Sequence, residues 1–198
     1  CSVRAPFHAQ PIGMEYDIVI EPKMSFGTAH HETTAMMITY LLETDVRGKT
    51  LLDMGCGTAV LAILAAMKGA STVTAIDIDE WPVNNAKENA ANNNFPEIEV
   101  ILGGAEKIAD KKFNIILANI NRNVLLADMK AYATALNKNG ILFLSGFYDD
   151  DLKQISDSAL MNDLHFITSA TKNKWTAARF LKNQSKGLFD MQDVLGLR

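Results

Sequence analysis

The sequence has 198 residues, of which 48% are apolar and 21% are charged, and its formal net charge is −4. This length is sufficient for one substantial core, and the negative charge offers no general attraction to nucleic acid, whose binding proteins usually carry a basic stripe. Two cysteines are too few for a disulfide framework, and no apolar run approaches the roughly 20 residues of a membrane span, so we expect a cytoplasmic globular enzyme with no membrane partner and no direct nucleic-acid partner.

The first 30 residues predict a β-rich lead-in or linker rather than a domain. Three prolines flank one extended run, Tyr16 to Ile20, and proline disfavours a continuous helix. After the lead-in, helical spacing of apolar residues predicts a helix from Thr34 to Glu43. The chain is accordingly divided into three segments: a lead-in over 1–30, one cofactor-binding domain over 31–183 and a C-terminal tail over 184–198.

The next elements predict a nucleotide-binding βαβ unit. Residues 51–57 read Leu-Leu-Asp-Met-Gly-Cys-Gly, which is a buried strand running into glycines. A predicted helix, 58–68, leads to a second apolar run, Thr72 to Ile76, and Asp77 follows 22 positions after Gly55. Glycine permits a sharp turn and a close approach of the backbone to a ligand, and a carboxylate at a strand end can accept hydrogen bonds from two ribose hydroxyls.

Details of the glycine loop indicate which nucleotide is bound. A dinucleotide fingerprint has glycine at its first, third and sixth positions, the last allowing the helix to pack tightly under a pyrophosphate. Gly55 and Gly57 occupy the first two of these positions, but Val60 occupies the sixth. Val60 therefore argues against a nicotinamide-dependent oxidoreductase, which is the alternative from a different class of enzyme.

Strands and helices continue to alternate beyond Asp77, which is typical of an α/β fold. Asp79 is the predicted N-cap of the next helix. The remaining predicted elements are a helix from Glu80 to Asn93, strands Ile98–Leu102 and Phe113–Ala118, a helix from Asn123 to Leu136, a strand Ile141–Ser145, and a closing hairpin of His165–Ala170 and Trp175–Leu181 joined by the turn Thr171–Lys174.

The strand Phe113–Ala118 runs into a second group of polar residues, Asn119-Ile120-Asn121-Arg122. Ligands of open α/β sheets bind at the carboxyl ends of strands. Asn119 resembles the first residue of the motif found in amine-directed methyltransferases, in which a carbonyl group accepts a hydrogen bond from the substrate nitrogen. We therefore assign Asn119 the catalytic role of positioning an amine.

Several motifs together resemble the bacterial ribosomal protein L11 methyltransferase family. The Asp53–Gly57 loop with Asp77 is similar to motifs I and II of class I methyltransferases. The family resemblance covers roughly residues 4 to 183 and rests on this loop and on Ala5-Pro6, Met24 to Thr34, Asp77-Ile78-Asp79, Ala118-Asn119-Ile120 and Leu144-Ser145-Gly146. It implies a Rossmann-like class I methyltransferase fold, with a mostly parallel seven-stranded sheet, helices on both faces and an antiparallel C-terminal hairpin strand.

The resemblance also implies a cofactor, a substrate and a set of site residues. The cofactor is S-adenosylmethionine, the substrate is an amino group of ribosomal protein L11, and no metal is involved. The implied cofactor contacts are Thr34, Gly55, Gly57, Asp77 and Asn119, with Phe26, Gly27, Thr28 and His31 forming a loop that closes over the methionine end. His31 is the candidate base.

The sequence differs from the family pattern at two positions and in one larger part. Ala29 and Ala59 stand where the family usually has glycine, and a positive φ at either position would cost of order 1 kcal/mol. The sequence also has no room for the N-terminal domain with which family members recognise the ribosomal protein. Besides the oxidoreductase, two functions stay open: a class I methyltransferase acting on another protein or a small molecule, and a cofactor-binding module without catalysis.

Overall fold

The computed structural model describes residues 1–21 and 32–183. The elements follow in chain order as β1 (Ser2–Arg4), β2 (Asp17–Val19), α1 (Glu32–Glu43), β3 (Thr50–Met54), α2 (Val60–Met67), β4 (Thr72–Asp77), α3 (Glu80–Asn92), β5 (Glu99–Leu102), β6 (Phe113–Asn119), α4 (Arg122–Ala135), β7 (Leu136–Tyr148), α5 (Leu152–Leu160), β8 (Leu164–Lys172) and β9 (Trp175–Lys182). Single turns of 3-10 helix, Ala105–Ile108 and Asp149–Asp151, precede β6 and α5.

The main sheet of the described residues has seven strands in the order β5-β4-β3-β6-β7-β9-β8. β5, β4, β3, β6 and β7 are parallel, and β9 runs antiparallel to both β7 and β8. The predicted fold class is therefore confirmed, including the antiparallel C-terminal hairpin. The chain leaves β3 toward β4 on one side and returns to β6 on the other, and the crevice at such a switch point is where open α/β sheets bind ligands.

Helices cover both faces of the sheet because the central strands are apolar on both sides. In β3, Leu51 belongs to a core that includes Met37 of α1 and Ile63 of α2, whereas Leu52 belongs to a core that includes Leu125 of α4. Successive side chains of a strand point to opposite faces, so the uninterrupted apolar run at 51–52 demands a helical layer on each side. Asp53 is the polar exception in this buried strand.

The strand predicted at Ile141–Ser145 is much longer in the structure, where β7 spans 13 residues. At its start, Leu136 pairs with Phe113 before Ile141 pairs with Ile115, so β7 bulges between these pairs and Gly140 lies inside the strand. At its end, Phe147 and Tyr148 are added by antiparallel pairing with β9. Both extensions depend on partner strands, which a periodicity analysis of one segment does not include.

The lead-in is attached to the end of α3. β1 and β2 form a separate parallel pair, and β2 lies within the predicted extended run. Asn93 accepts a hydrogen bond from the Val19 N–H (2.8 Å) and donates one to the Val19 carbonyl (2.7 Å), while Asn89 accepts from the Glu21 N–H (3.0 Å). Ile18 is fully buried in the core. The predictions for the tail, 184–198, lie outside the described residues.

Candidate functional site

The loop after β3 is built from residues in the left-handed region. Gly55, Gly57 and Ala59 have φ values of +69°, +54° and +62°. The N–H groups of Gly55 and Cys56 both donate to the Ile76 carbonyl, at 2.8 and 3.0 Å, which holds the loop across the end of β4. Glycine is favoured at the first two positions because it adopts positive φ without steric cost.

Ala59 is a strained position, as the departure from the family pattern suggested. It is the N-cap of α2, with φ 62° and ψ 22°, and it has no side chain that could cap the helix. A left-handed alanine costs about 1 kcal/mol relative to glycine. The chain keeps the loop conformation in spite of that cost.

Asp53 supplies the cap that Ala59 lacks. This residue is 1% exposed, and its Oδ2 accepts a hydrogen bond at 3.1 Å from the N–H of Ala62 in the first turn of α2. Burial raises the pKa of Asp53 to about 7, and the nearby charge of Asp77 contributes in the same direction, while the hydrogen bond from Ala62 opposes it. The sequence analysis gave this residue no role, although an acid inside an apolar strand was a visible signal.

Asp77 lies at the end of β4 and contacts the glycine loop directly. Its Oδ2 accepts a hydrogen bond from the Gly57 N–H at 3.0 Å, and its Oδ1 accepts one from the Asp79 N–H at 3.2 Å. Asp79 occupies the N-cap position of α3, as predicted, although its side chain makes no capping hydrogen bond. The Asp79 backbone instead orients the Asp77 carboxylate.

Thr34 and Asn119 come together from opposite ends of the domain. The Nδ2 of Asn119, at the end of β6, donates to the Oγ1 of Thr34 in α1 at 3.3 Å, across 85 positions of sequence. Thr34 is buried. Because Nδ2 is engaged in this way, Oδ1 is the atom of the Asn119 amide that can accept a hydrogen bond from a substrate nitrogen.

Ile120, which directly follows β6, contacts the loop that follows β3. A Cβ atom placed on Gly55 would lie 2.1 Å from Ile120 Cγ2. The sequence analysis explained Gly55 by the approach of a ligand, whereas the nearest atoms on its open side belong to Ile120. Gly55 is therefore required both for its positive φ and for this contact, which the sequence did not reveal.

Two exposed apolar residues lie at the same edge of the sheet and were not predicted. Ile78, directly after Asp77, is 73% exposed, and Leu102, which pairs with Asp77 at the end of β5, is 47% exposed. Ile78 Cγ2 lies 3.7 Å from the place of a Cβ atom on Gly104. An apolar residue between two acids, Asp77 and Asp79, was the available signal.

The remaining predicted site residues, Phe26, Gly27, Thr28 and His31, lie outside the described residues, as does Ala29. Across 1–21 and 32–183, no group of three or more histidine, cysteine, aspartate or glutamate side chains could hold a metal ion. No helix in the same ranges is long and apolar enough to cross a membrane. Burial raises the pKa of the Cys56 thiol well above its usual range, which opposes formation of a nucleophilic thiolate.

The described part of the site therefore combines an oriented carboxylate, an asparagine at a neighbouring strand end and exposed apolar surface. A carboxylate fixed by two backbone N–H groups can accept hydrogen bonds from vicinal hydroxyls. The apolar surface beside it suits a flat heterocycle, because burial of apolar area is favourable for both.

Comparison with known proteins identifies relatives that share one name, ribosomal protein L11 methyltransferase. The family model described as "Ribosomal protein L11 methyltransferase (PrmA)" matches residues 4–183. The chain is 49% identical over 187 residues to the Ribosomal protein L11 methyltransferase of Porphyromonas gingivalis, covering 94% of this chain and 64% of that protein. It is 48% identical over 182 residues to that of Phocaeicola vulgatus, covering 91% and 65%. The chain thus spans slightly less than two thirds of the length of these relatives.

A solved structure agrees in shape. The crystal structure of ribosomal protein L11 methylase from Lactobacillus delbrueckii subsp. bulgaricus superimposes with a TM-score of 0.83 at 28% identity, covering 89% of this chain and 91% of that one. A methyltransferase from Pyrococcus furiosus, at 19% identity and a TM-score of 0.70, shares the fold.

Proposed function

This chain belongs to the ribosomal protein L11 methyltransferase family, and we propose that it transfers methyl groups from S-adenosylmethionine to amino groups of ribosomal protein L11. The relatives are longer than the segment that this chain matches, so their names alone do not establish its substrate. Ribosomal protein L11 is therefore part of the proposal. With a ribosomal protein as its substrate, the enzyme would act in the cytoplasm.

The Gly57–Asp77 contact is the observation that carries the proposal. The backbone N–H groups of Gly57 and Asp79 fix the Asp77 carboxylate at the strand end. In this proposal the carboxylate accepts hydrogen bonds from the two ribose hydroxyls, and Ile78 and Leu102 face the base. Gly55, Gly57 and Thr34, with the predicted loop residues Phe26, Gly27, Thr28 and His31, complete the cofactor contacts.

The start of α2 disfavours a pyrophosphate ligand and hence a nicotinamide-dependent oxidoreductase. Dinucleotides place their phosphates on free N–H groups at a helix N-terminus. Here the Ala62 N–H already donates to Asp53, so an acid lies where a pyrophosphate would need positive potential. Val60 is 3% exposed and packs in the core at the position that the dinucleotide fingerprint gives to glycine.

Transfer of a methyl group to an amine depends mainly on positioning. S-Adenosylmethionine, when bound, supplies an electrophilic methyl group. Asn119, held by Thr34, orients the amine in line with that group, and effective molarity can lower the barrier by roughly 7 to 11 kcal/mol. A lysine has an ordinary pKa of about 10.4, so the site must desolvate it or provide a base to favour the neutral amine.

The test is a methylation assay on the whole chain. Purified ribosomal protein L11 is incubated with S-adenosylmethionine and either the parent chain or Asn119→Ala, and methyl groups on L11 are counted by mass spectrometry. We expect methylated lysine or terminal amines with the parent and at least tenfold slower transfer with Asn119→Ala. S-Adenosylhomocysteine binding without any transfer to L11 would overturn the substrate, and it would favour either a methyltransferase that acts on a different substrate or a cofactor-binding module without catalysis.

A further inference from the structure

Ile120, in the loop after β6, lies between Gly55 of the loop after β3 and Gly146 of β7. Carbon atoms in favourable contact lie about 3.5 to 4.0 Å apart. A Cβ atom on Gly55 would lie 2.1 Å from Ile120 Cγ2, so only glycine at position 55 leaves room for this methyl group. The Ile120 side chain therefore rests directly on the backbone of the loop that follows β3.

The backbone of Ile120 is confined on its other side by Gly146 of β7. A Cβ atom on Gly146 would lie 2.3 Å from the Ile120 carbonyl oxygen and 2.7 Å from its carbonyl carbon, and Gly146 has a φ of +93°. The Ile120 N–H donates to the Ser145 carbonyl at 3.1 Å. Gly146 is also the position where β7 bulges in its pairing with β9. These contacts fix the peptide plane that follows Asn119.

Neither glycine has room for a side chain beside Ile120, and close-packed protein interiors transmit strain. Gly55 and Gly146 each lie against Ile120 with no side chain between them, so a displacement of Gly55 would act directly on the Ile120 side chain. Such a displacement would reach the peptide group that Ile120 shares with Asn119, whose side-chain amide is held by Thr34.

We propose that Ile120 is a positioning residue that transmits occupancy of the Gly55 loop to Asn119, so that the amine-binding geometry is set when the cofactor is in place. This inference rests on the proposed function, because it assumes that the Gly55 loop binds S-adenosylmethionine. Ile120 itself acts through Asn119.

The first test follows backbone amide resonances of the whole chain during titration with S-adenosylhomocysteine. Gly55 reports on the cofactor loop, and Gly146 reports on the far side of Ile120. In the parent we expect both resonances to shift with one dissociation constant. In Ile120→Ala the Gly55 shift should persist while the Gly146 shift falls by at least half, and Ile120→Val, which keeps the Cγ2 methyl group that faces Gly55, should restore it.

The possible outcomes distinguish a failure of the inference about Ile120 from a failure of the proposed function. A Gly55 shift without a Gly146 shift in the parent, or an unchanged Gly146 shift in Ile120→Ala, would overturn the inference and leave cofactor binding intact. Absence of any shift at Gly55 in the parent would overturn the proposed function, and the inference with it.

Turnover gives a second readout that a merely structural role would not produce. With L11 as substrate, Ile120→Ala should lower kcat about tenfold or more, since small misplacements of reacting groups are costly, while KM for S-adenosylmethionine stays within about twofold. Ile120→Val should recover most of kcat. A KM for S-adenosylmethionine that rises as kcat falls would show that Ile120 only supports the cofactor loop and would overturn its positioning role.

Discussion

The loop after β3 and the loop after β6 are neighbours at the carboxyl edge of the sheet, but they are held by different means. The first is shaped by its own backbone, through positive φ at Gly55, Gly57 and Ala59. The second is held by residues distant in sequence: Thr34 binds Asn119, Ser145 accepts the Ile120 N–H, and Asp151 pairs with Arg122 at 2.8 Å.

In the proposed function, the first of these loops recognises the cofactor and the second presents the amine. The first loop takes its shape from its own residues, and its hydrogen bonds to Ile76 and Asp77 stay within one βαβ unit, so it depends on few distant contacts. A loop held by distant contacts depends on the whole domain, and its geometry can respond to events elsewhere. Substitutions in the two loops should therefore have different consequences.

The largest expected effect is on the cofactor side of the comparison. Asp77→Ala removes the carboxylate bound by the Gly57 and Asp79 N–H groups and the proposed contacts to two ribose hydroxyls. Hydrogen bonds to charged groups contribute about 1.5 to 3 kcal/mol each, so S-adenosylhomocysteine affinity should fall at least about 100-fold in calorimetry. Asp79→Ala, which loses no capping bond, is the matched control and should bind within about threefold of the parent. Equal losses in both variants would contradict the assignment.

Gly146→Ala tests whether the second loop is held by its neighbours. The added Cβ combines left-handed strain with a clash against the Ile120 backbone, for a total cost of about 3 kcal/mol in the free energy of unfolding. Gly48→Ala is the control, because Gly48 has a φ of +68° with nothing within 4 Å, so it should cost only the strain, about 1 kcal/mol. Similar midpoints of urea unfolding for the two variants would mean that Ile120 is not confined.

Asp53 gives the first loop a pH-dependent component. Its folded pKa, about 7, lies above the ordinary aspartate value, so the folded protein binds more protons between these values. The stability contributed by Asp53 is complete below about pH 4 and is lost as the pH rises through about 7.

Asp53→Asn should abolish this dependence while an amide oxygen remains to accept from Ala62. The parent should therefore lose stability relative to Asp53→Asn between about pH 4 and pH 7, with a slope of at most about 1.4 kcal/mol per pH unit. Urea unfolding of both proteins across this range measures the difference. Parallel pH profiles would show that Asp53 titrates outside the range.

The smallest expected effect concerns Ala59 and tests whether the loop after β3 is shaped by its own backbone. Ala59→Gly relieves a left-handed alanine but adds freedom to the unfolded chain, for a net gain of about 0.5 kcal/mol. Ala66→Gly, within α2, should instead destabilise by about 0.5 to 1 kcal/mol. Unfolding free energies that change in the same direction would argue against strain at Ala59.

The same contrast explains what could be predicted from the sequence. Gly55 and Asp77 could be placed together because each follows a continuous apolar strand of one βαβ unit. Ile120 and Gly146 were noted only as parts of family motifs, and their contact has no local signal because it depends on how β6 and β7 lie side by side. The extra length of β7 was missed for that reason too. The family resemblance implied that Thr34 and Asn119 each contact the cofactor, but the hydrogen bond between them was not predicted.

The loop 26–31 stays a prediction, because it lies outside the described residues. Asp53 was visible as an acid in an apolar strand, but its capping role requires knowledge of where α2 begins. Asp79 was placed correctly as the N-cap of α3, but the pattern could not show that its side chain makes no capping hydrogen bond.

The central claim is that this edge of the sheet binds S-adenosylmethionine, and calorimetric titration of the parent chain with S-adenosylhomocysteine and, separately, with NAD tests it most directly. We predict saturable one-to-one binding of S-adenosylhomocysteine and no heat from NAD at the same concentrations. Saturable NAD binding without S-adenosylhomocysteine binding would contradict the account.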